Sequence, residues 1–178
     1  MWTAESRDAE NKPVRDPGCI TYSAAIESAA TADTSPDRSD FAERVLREAT
    51  RRGFTEATRG VVLGDGSSWI WNTARELLPQ ATQILDRFHA QEALHRTGQS
   101  IFGATSQGQA WAAERYSELD AGKLRAVVHA LRAHAASSPE ATKCALSIFR
   151  NRARMRCPKF HAQGFCTSTG VLELAAKW

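Results

Sequence analysis

The chain has 178 residues, of which 42% are hydrophobic, and a formal net charge of +3. It has enough apolar material for a sizeable core, but no apolar run approaches bilayer-spanning length and no basic-then-apolar leader opens it, so a cytoplasmic location without a membrane partner is expected. The charge is too small to imply nucleic-acid binding by itself, and the four cysteines, Cys19, Cys144, Cys157 and Cys166, lack close pairing and read as reduced thiols.

Residues 2–20 are polar and turn-rich, with Lys12-Pro13 and Asp16-Pro17-Gly18 marking a loop, and predict a hairpin-like edge. The β-branched and aromatic residues of Ile20–Ile26 predict its second strand, although Ala24 and Ala25 weaken it. Thr31–Ser39 has the composition of a surface loop. A helix is predicted from Asp40, with Glu43 completing a capping box, Phe41, Ala42, Val45, Leu46 and Ala49 on one face, and Gly53 as its stop. Arg44, Arg47, Arg51 and Arg52 fall on the other side and read as a solvated face.

The stretch from Val61 to Asn72 organises the rest of the chain. Val61, Val62 and Leu63 predict a short strand buried on both faces, Gly64 and Gly66 bracket Asp65 with backbone freedom, and Ser67 or Ser68 caps a helix that Pro79 stops. Gln83–Asp86 predicts a second strand, with His89 just beyond it. Strand–helix–strand units are right-handed parallel crossovers, so Asp65 and Asp86 are expected at matching strand ends, about 5 Å apart if the strands pair directly. Two carboxylates so placed suit a divalent ion with phosphate and water ligands. By spacing alone, ordinary turn and cap roles are the commoner reading for both.

From about Ala90 to Arg156 the periodicity is helical, with Trp111, Tyr116, Leu119, Leu124, Val127, Val128 and Leu131 supplying apolar faces. His129 and His134 read as partly buried or surface residues, and Cys144 as a small packed apolar group. Arg150, Arg152, Arg154 and Arg156, followed by Lys159, are spread around a predicted helix, a pattern that favours phosphate contacts over base reading. A solvated, charged helix end explains the same pattern. Cys157, His161 and Cys166 lack the close cysteine pair of a structural zinc site.

Several runs, taken in order, resemble the Kra-type bacterial insertion-sequence transposases, DDE enzymes related to the Mutator group. They are Gly64–Asn72 (Gly-Asp-Gly-Ser-Ser-Trp-Ile-Trp-Asn), Ile84–Ala90 (Ile-Leu-Asp-Arg-Phe-His-Ala) and Asn151–Pro158 (Asn-Arg-Ala-Arg-Met-Arg-Cys-Pro). Trp2–Asp8, Tyr22–Ser28 and Cys166–Glu173 extend the resemblance over nearly the whole chain. It implies an α/β fold: an incomplete ribonuclease H-like core over residues 1–90, a large helical insertion over 91–156, and a return to the core over 157–178.

The resemblance further implies that Asp65 and Glu173 are two of three acids that hold Mg²⁺ or Mn²⁺, with Asp86 and His89 near the site. Glu173 falls where a helix is expected, capped by Thr167, Ser168 or Thr169. Arg150, Arg152, Arg154, Arg156 and Lys159 would meet the phosphates of insertion-element ends. Full-length transposase or a second copy would be the protein partner. In the family the first acid lies on a strand ahead of the segment that resembles Trp2–Asp8, so an interior fragment, inactive alone, is expected. A DNA-binding or regulatory remnant is the alternative. A nucleotide-binding α/β domain built on the Gly64-Asp65-Gly66 turn ranks last, for want of a phosphate loop followed by lysine.

Overall fold

A computed structural model describes residues 9–10, 39–57 and 59–168. The expected hairpin and Ile20–Ile26 strand, Cys19, and the helix expected to carry Glu173 lie outside the described residues. Two compact units divide within the second strand, the first ending at Gln83 and the second beginning at Ile84.

In the first unit, α1 spans Asp40–Arg51. Its cap is Ser39 rather than Asp40: the Ser39 hydroxyl accepts the Ala42 N–H at 3.1 Å, so Asp40 and Glu43 sit inside the first turn, where their charges oppose the positive end of the helix dipole. Gly53, at φ +69°, ends the helix in a conformation that costs glycine nothing. Ala42 and Ala49 are buried, and the Phe41 ring meets Trp69 of α2 nearly edge-on at 5.3 Å. Of the four arginines expected on a solvated face, Arg47 and Arg51 are exposed, with Arg51 paired to Glu48 at 2.7 Å, whereas Arg44 and Arg52 are half-buried.

Strand β1, Val61–Gly64, continues through a turn into α2, Ser68–Leu77, and β2, Thr82–Leu85, pairs with β1 in a two-stranded parallel sheet. The expectation of a doubly buried β1 is corrected: Val61, Val62 and Leu63 are half-buried and only Gly64 is buried. Gly64 is also glycine for a different reason than backbone freedom. A Cβ there would come within 2.8 Å of Ile70 and 2.9 Å of Trp71, so the missing side chain lets α2 lie against the strand. The positive φ belongs to Gly66, at +104°.

The second unit is almost wholly helical, as the periodicity predicts: α3 (Arg87–Phe102), α4 (Ser106–Asp120), α5 (Leu124–Arg132) and α6 (Pro139–Asn151), then a 3-10 turn (Arg152–Arg154) and α7 (Cys157–Ala162). Ala90, Leu94, Thr97 and Gly98 line one face of α3, and Ala141, Cys144, Ala145 and Ile148 line one face of α6. Both are the i, i+4, i+7 stripes that bury a helix against neighbours. Leu94, Leu119, Val127 and Leu131 are at most 1% exposed and form the centre of the unit. The Ser138 hydroxyl receives the Ala141 N–H as the cap of α6 and lies 3.0 Å from the Ser100 hydroxyl of α3, joining the two helices. No described helix is long and apolar enough to cross a membrane.

Helices α3 and α4 meet backbone to backbone. A Cβ at Gly98 would come 2.9 Å from the Gly108 carbonyl oxygen, and one at Gly108 would come 2.9 Å from that of Gly103. Gly103 itself, at φ +72°, closes α3. Because the obstructing atoms are backbone, they cannot swing aside. Gly98→Ala should therefore destabilise the chain by about 1–3 kcal/mol, the usual cost of overpacking, despite alanine's better helix propensity. Urea denaturation at constant m-value measures this, and a midpoint at or above that of the natural chain would contradict the close approach.

Candidate functional site

Asp65 stands directly after β1, in the first unit, and its side chain is exposed. Its Oδ1 accepts the Ser67 N–H at 2.8 Å, which fixes the carboxylate across the turn and gives α2 an entry without a side-chain cap from Ser67. An exposed carboxylate with one oxygen committed fits a hard divalent cation as a donor. Asp86, Glu92, His89 and the basic run belong to the second unit, and Glu173 lies outside the described residues.

Asp86 follows β2 and is the N-cap of α3. It is 2% exposed, and its Oδ1 accepts the Phe88 N–H at 2.9 Å. That burial and bond make it a helix-starting residue first, as the cap reading of the sequence expects. His89, in the first turn of α3, is half-buried, with Nδ1 3.6 Å from Glu92 Oε2 and its ring edge-on to Phe88.

Arg87, directly after Asp86, carries a role that local sequence did not reveal. Its guanidinium makes two bonds of 2.5 Å to Asp120 at the end of α4, and its backbone N–H donates to the Thr167 carbonyl at 2.8 Å. The Asp120 carboxylate raises the Arg87 pKa further above its ordinary value. Thr167, itself buried, places its hydroxyl 2.8 Å from His161 Nε2 of α7. The segment after α7 thus comes back to the start of α3.

The basic run is not one helix. Arg150 lies on α6, Arg152 and Arg154 form the 3-10 turn, Arg156 precedes α7, and Lys159 sits on it. The expected spread around a single helix is corrected because α6 ends at Asn151, whose buried amide donates to the Ser147 carbonyl at 3.1 Å. Arg150, Arg152, Arg156 and Lys159 are exposed, while Arg154 is half-buried and donates to the Asn151 side chain at 3.2 Å.

Among the described residues no three His, Cys, Asp or Glu side chains gather as metal ligands do. His161 bonds Thr167, and the Cys166 thiol bonds the Ser168 carbonyl at 3.2 Å. The sequence also missed Arg115, which is 7% exposed on α4. Its Nη2 lies 2.6 Å from Glu114, its guanidinium stands 5.5 Å from the Trp111 ring, and its Nε is 2.7 Å from Glu118 without hydrogen-bond alignment. His134 completes an aromatic cluster with Phe102 and Trp111, at 5.4 and 6.3 Å.

Two predictions concern these side chains. His89→Ala should cost no more than about 1 kcal/mol, because the ring is only half-buried, and a larger loss of melting stability would mean that the ring is packed. Cys144 is buried, and that burial pushes its thiol up to about 11. An unfolded thiol titrates lower, near its ordinary value, so the stabilisation is complete below about pH 9 and is lost as pH rises through 11, amounting to on the order of 2 kcal/mol. Melting between pH 8 and pH 11 (about that window) should fall more steeply for the natural chain than for Cys144→Ala; equal slopes would refute it. No family model matches the chain, nor does any curated protein or solved structure.

Proposed function

We propose that this chain is part of a DDE-type DNA transposase core of the Kra-like insertion-sequence group, a ribonuclease H-like sheet interrupted by the helices α3–α6. The observation that carries the reading is the bond from the Arg87 N–H to the Thr167 carbonyl. After the long helical excursion it returns the chain to the carboxyl end of β2, and the next acid in the sequence is Glu173. A turn that leads an exposed Asp65 out of a parallel strand supports the same reading.

In it, Asp65 and Glu173 hold Mg²⁺ or Mn²⁺, which supplies activation of water or a 3′-hydroxyl and stabilises the leaving oxygen at a phosphodiester. Asp65 is oriented for that task by the Ser67 N–H. Asp86 starts α3 and thereby sets Arg87 and His89 in place. Arg150, Arg152, Arg154, Arg156 and Lys159 neutralise phosphates of element-end DNA, with full-length transposase or a second copy as the protein partner. The family's first acid has no counterpart within the 178 residues, so a polypeptide of this length carries two of three acids and should cleave negligibly.

A second reading, a DNA-binding or regulatory remnant, is favoured by one observation: Asp65 and Asp86 each spend an oxygen on a nearby backbone N–H, as purely structural turn and cap residues do. Mn²⁺ binding followed by electron paramagnetic resonance separates the two. Asp65→Asn keeps the turn but lowers the charge, and it and Glu173→Gln should each weaken Mn²⁺ binding by about tenfold or more. Binding unchanged in both, with salt-dependent binding of element-end DNA retained, would leave the remnant reading. Mg²⁺-dependent cleavage by the 178-residue polypeptide, abolished by Asp65→Ala, would overturn its expected inactivity.

A further inference from the structure

The outer face of α6 differs from the other helix surfaces of the second unit. Leu146 and Phe149 stand 48% and 51% exposed one turn apart, and Arg150 follows on the same side. Arg152 covers one face of the Phe149 ring, its guanidinium carbon 4.5 Å from the centroid, while its Nη1 donates to the Phe149 carbonyl at 2.8 Å. The ring is thus held in one orientation with its remaining surface in solvent.

Along the sequence the charge here is of one sign. No acid occurs between Glu140 and Glu173, whereas six lysines and arginines do. Lys143 is paired with Glu140 at 2.9 Å and Arg154 bonds Asn151, but Arg150, Arg152, Arg156 and Lys159 are exposed and have no acidic partner among the described residues. Complementing the negative end of the α6 dipole accounts for Arg150 in its last turn and Arg152 at its C-cap. It does not account for Arg156 and Lys159, nor for an exposed aromatic beside the arginines.

Phosphate contacts along a duplex need cations alone, and a membrane or a stable copy of the chain needs a broader apolar area than one leucine and one phenylalanine provide. A fixed aromatic ring within a cationic surface is the arrangement that takes an unpaired base on its face and the flanking phosphates on its arginines. We infer that the Phe149–Arg152 face of α6 binds single-stranded DNA by stacking an unpaired base on Phe149. The inference rests on the DNA-binding reading above and names the form of DNA that this surface takes.

The test uses the 178-residue chain and a short fluorescein-labelled oligonucleotide of mixed sequence, single-stranded or annealed, followed by anisotropy over a range of salt concentrations. The single strand should bind more tightly than the duplex. Phe149→Ala and Phe149→Leu should each lower single-strand affinity by about tenfold and leave the salt slope and duplex affinity unchanged, whereas Phe149→Trp should retain binding. Arg150→Ala should instead reduce the salt slope by about one. Phe149 is exposed, so these variants should melt with the natural chain.

Phe149→Leu binding the single strand as well as the natural chain would overturn stacking while leaving the DNA-binding reading intact. Loss of both single-strand and duplex binding in the natural chain would overturn both. Binding to phosphatidylserine vesicles, or Phe149-dependent dimerisation, in place of oligonucleotide binding would assign the surface to a membrane or a second copy and refute the inference.

Discussion

The second unit hangs on Arg87. One residue joins the end of β2, the last turn of α4 and the segment beyond α7, using its guanidinium for Asp120 and its backbone N–H for Thr167. Closing a long loop costs only slightly more entropy than closing a short one, so a few well-made ties can fix segments far apart in sequence. The half-exposed ion pair gains little from charge alone, and its worth lies in the paired, planar geometry that sets the direction in which α4 ends. Beside it Gly122 turns the chain at φ +71°, and a Cβ there would come 3.3 Å from Pro158 at the start of α7.

Much of the architecture could be read along the chain because it is governed by local physics. Periodicity marked the helices of the second unit, Gly53 marked the end of α1, and short β-branched or apolar runs marked both strands of the sheet. Locally competing groups were harder to separate. Ser39 and Asp40 are both good caps, and the choice between them turns on one hydroxyl reaching Ala42. The arginine run reads as helix because arginine favours one, yet the buried Asn151 ends α6 in its midst.

What the sequence hid is long-range or steric. Nothing near Arg87 announces Asp120, thirty-three positions away. Gly64 looks like a turn residue, but Ile70 and Trp71 forbid a side chain there. Arg115 is buried between two glutamates and a tryptophan, where desolvation makes each of its partners matter. Of the expected acids, Asp65 and Asp86 fall at strand ends as predicted, and each uses a carboxylate oxygen to accept a backbone N–H just downstream and so shape the chain there. Glu173 lies outside the described residues.

Gly98, Gly103 and Gly108 are spaced five residues apart, and each occupies a place in the α3–α4 hairpin that a side chain would disturb, two by collision and one by backbone strain. Such positions resist substitution independently of what the protein binds. The triple-glycine spacing is therefore a fingerprint by which distant kin of this hairpin can be recognised even where their acids and arginines have drifted, and it separates kinship of fold from kinship of chemistry.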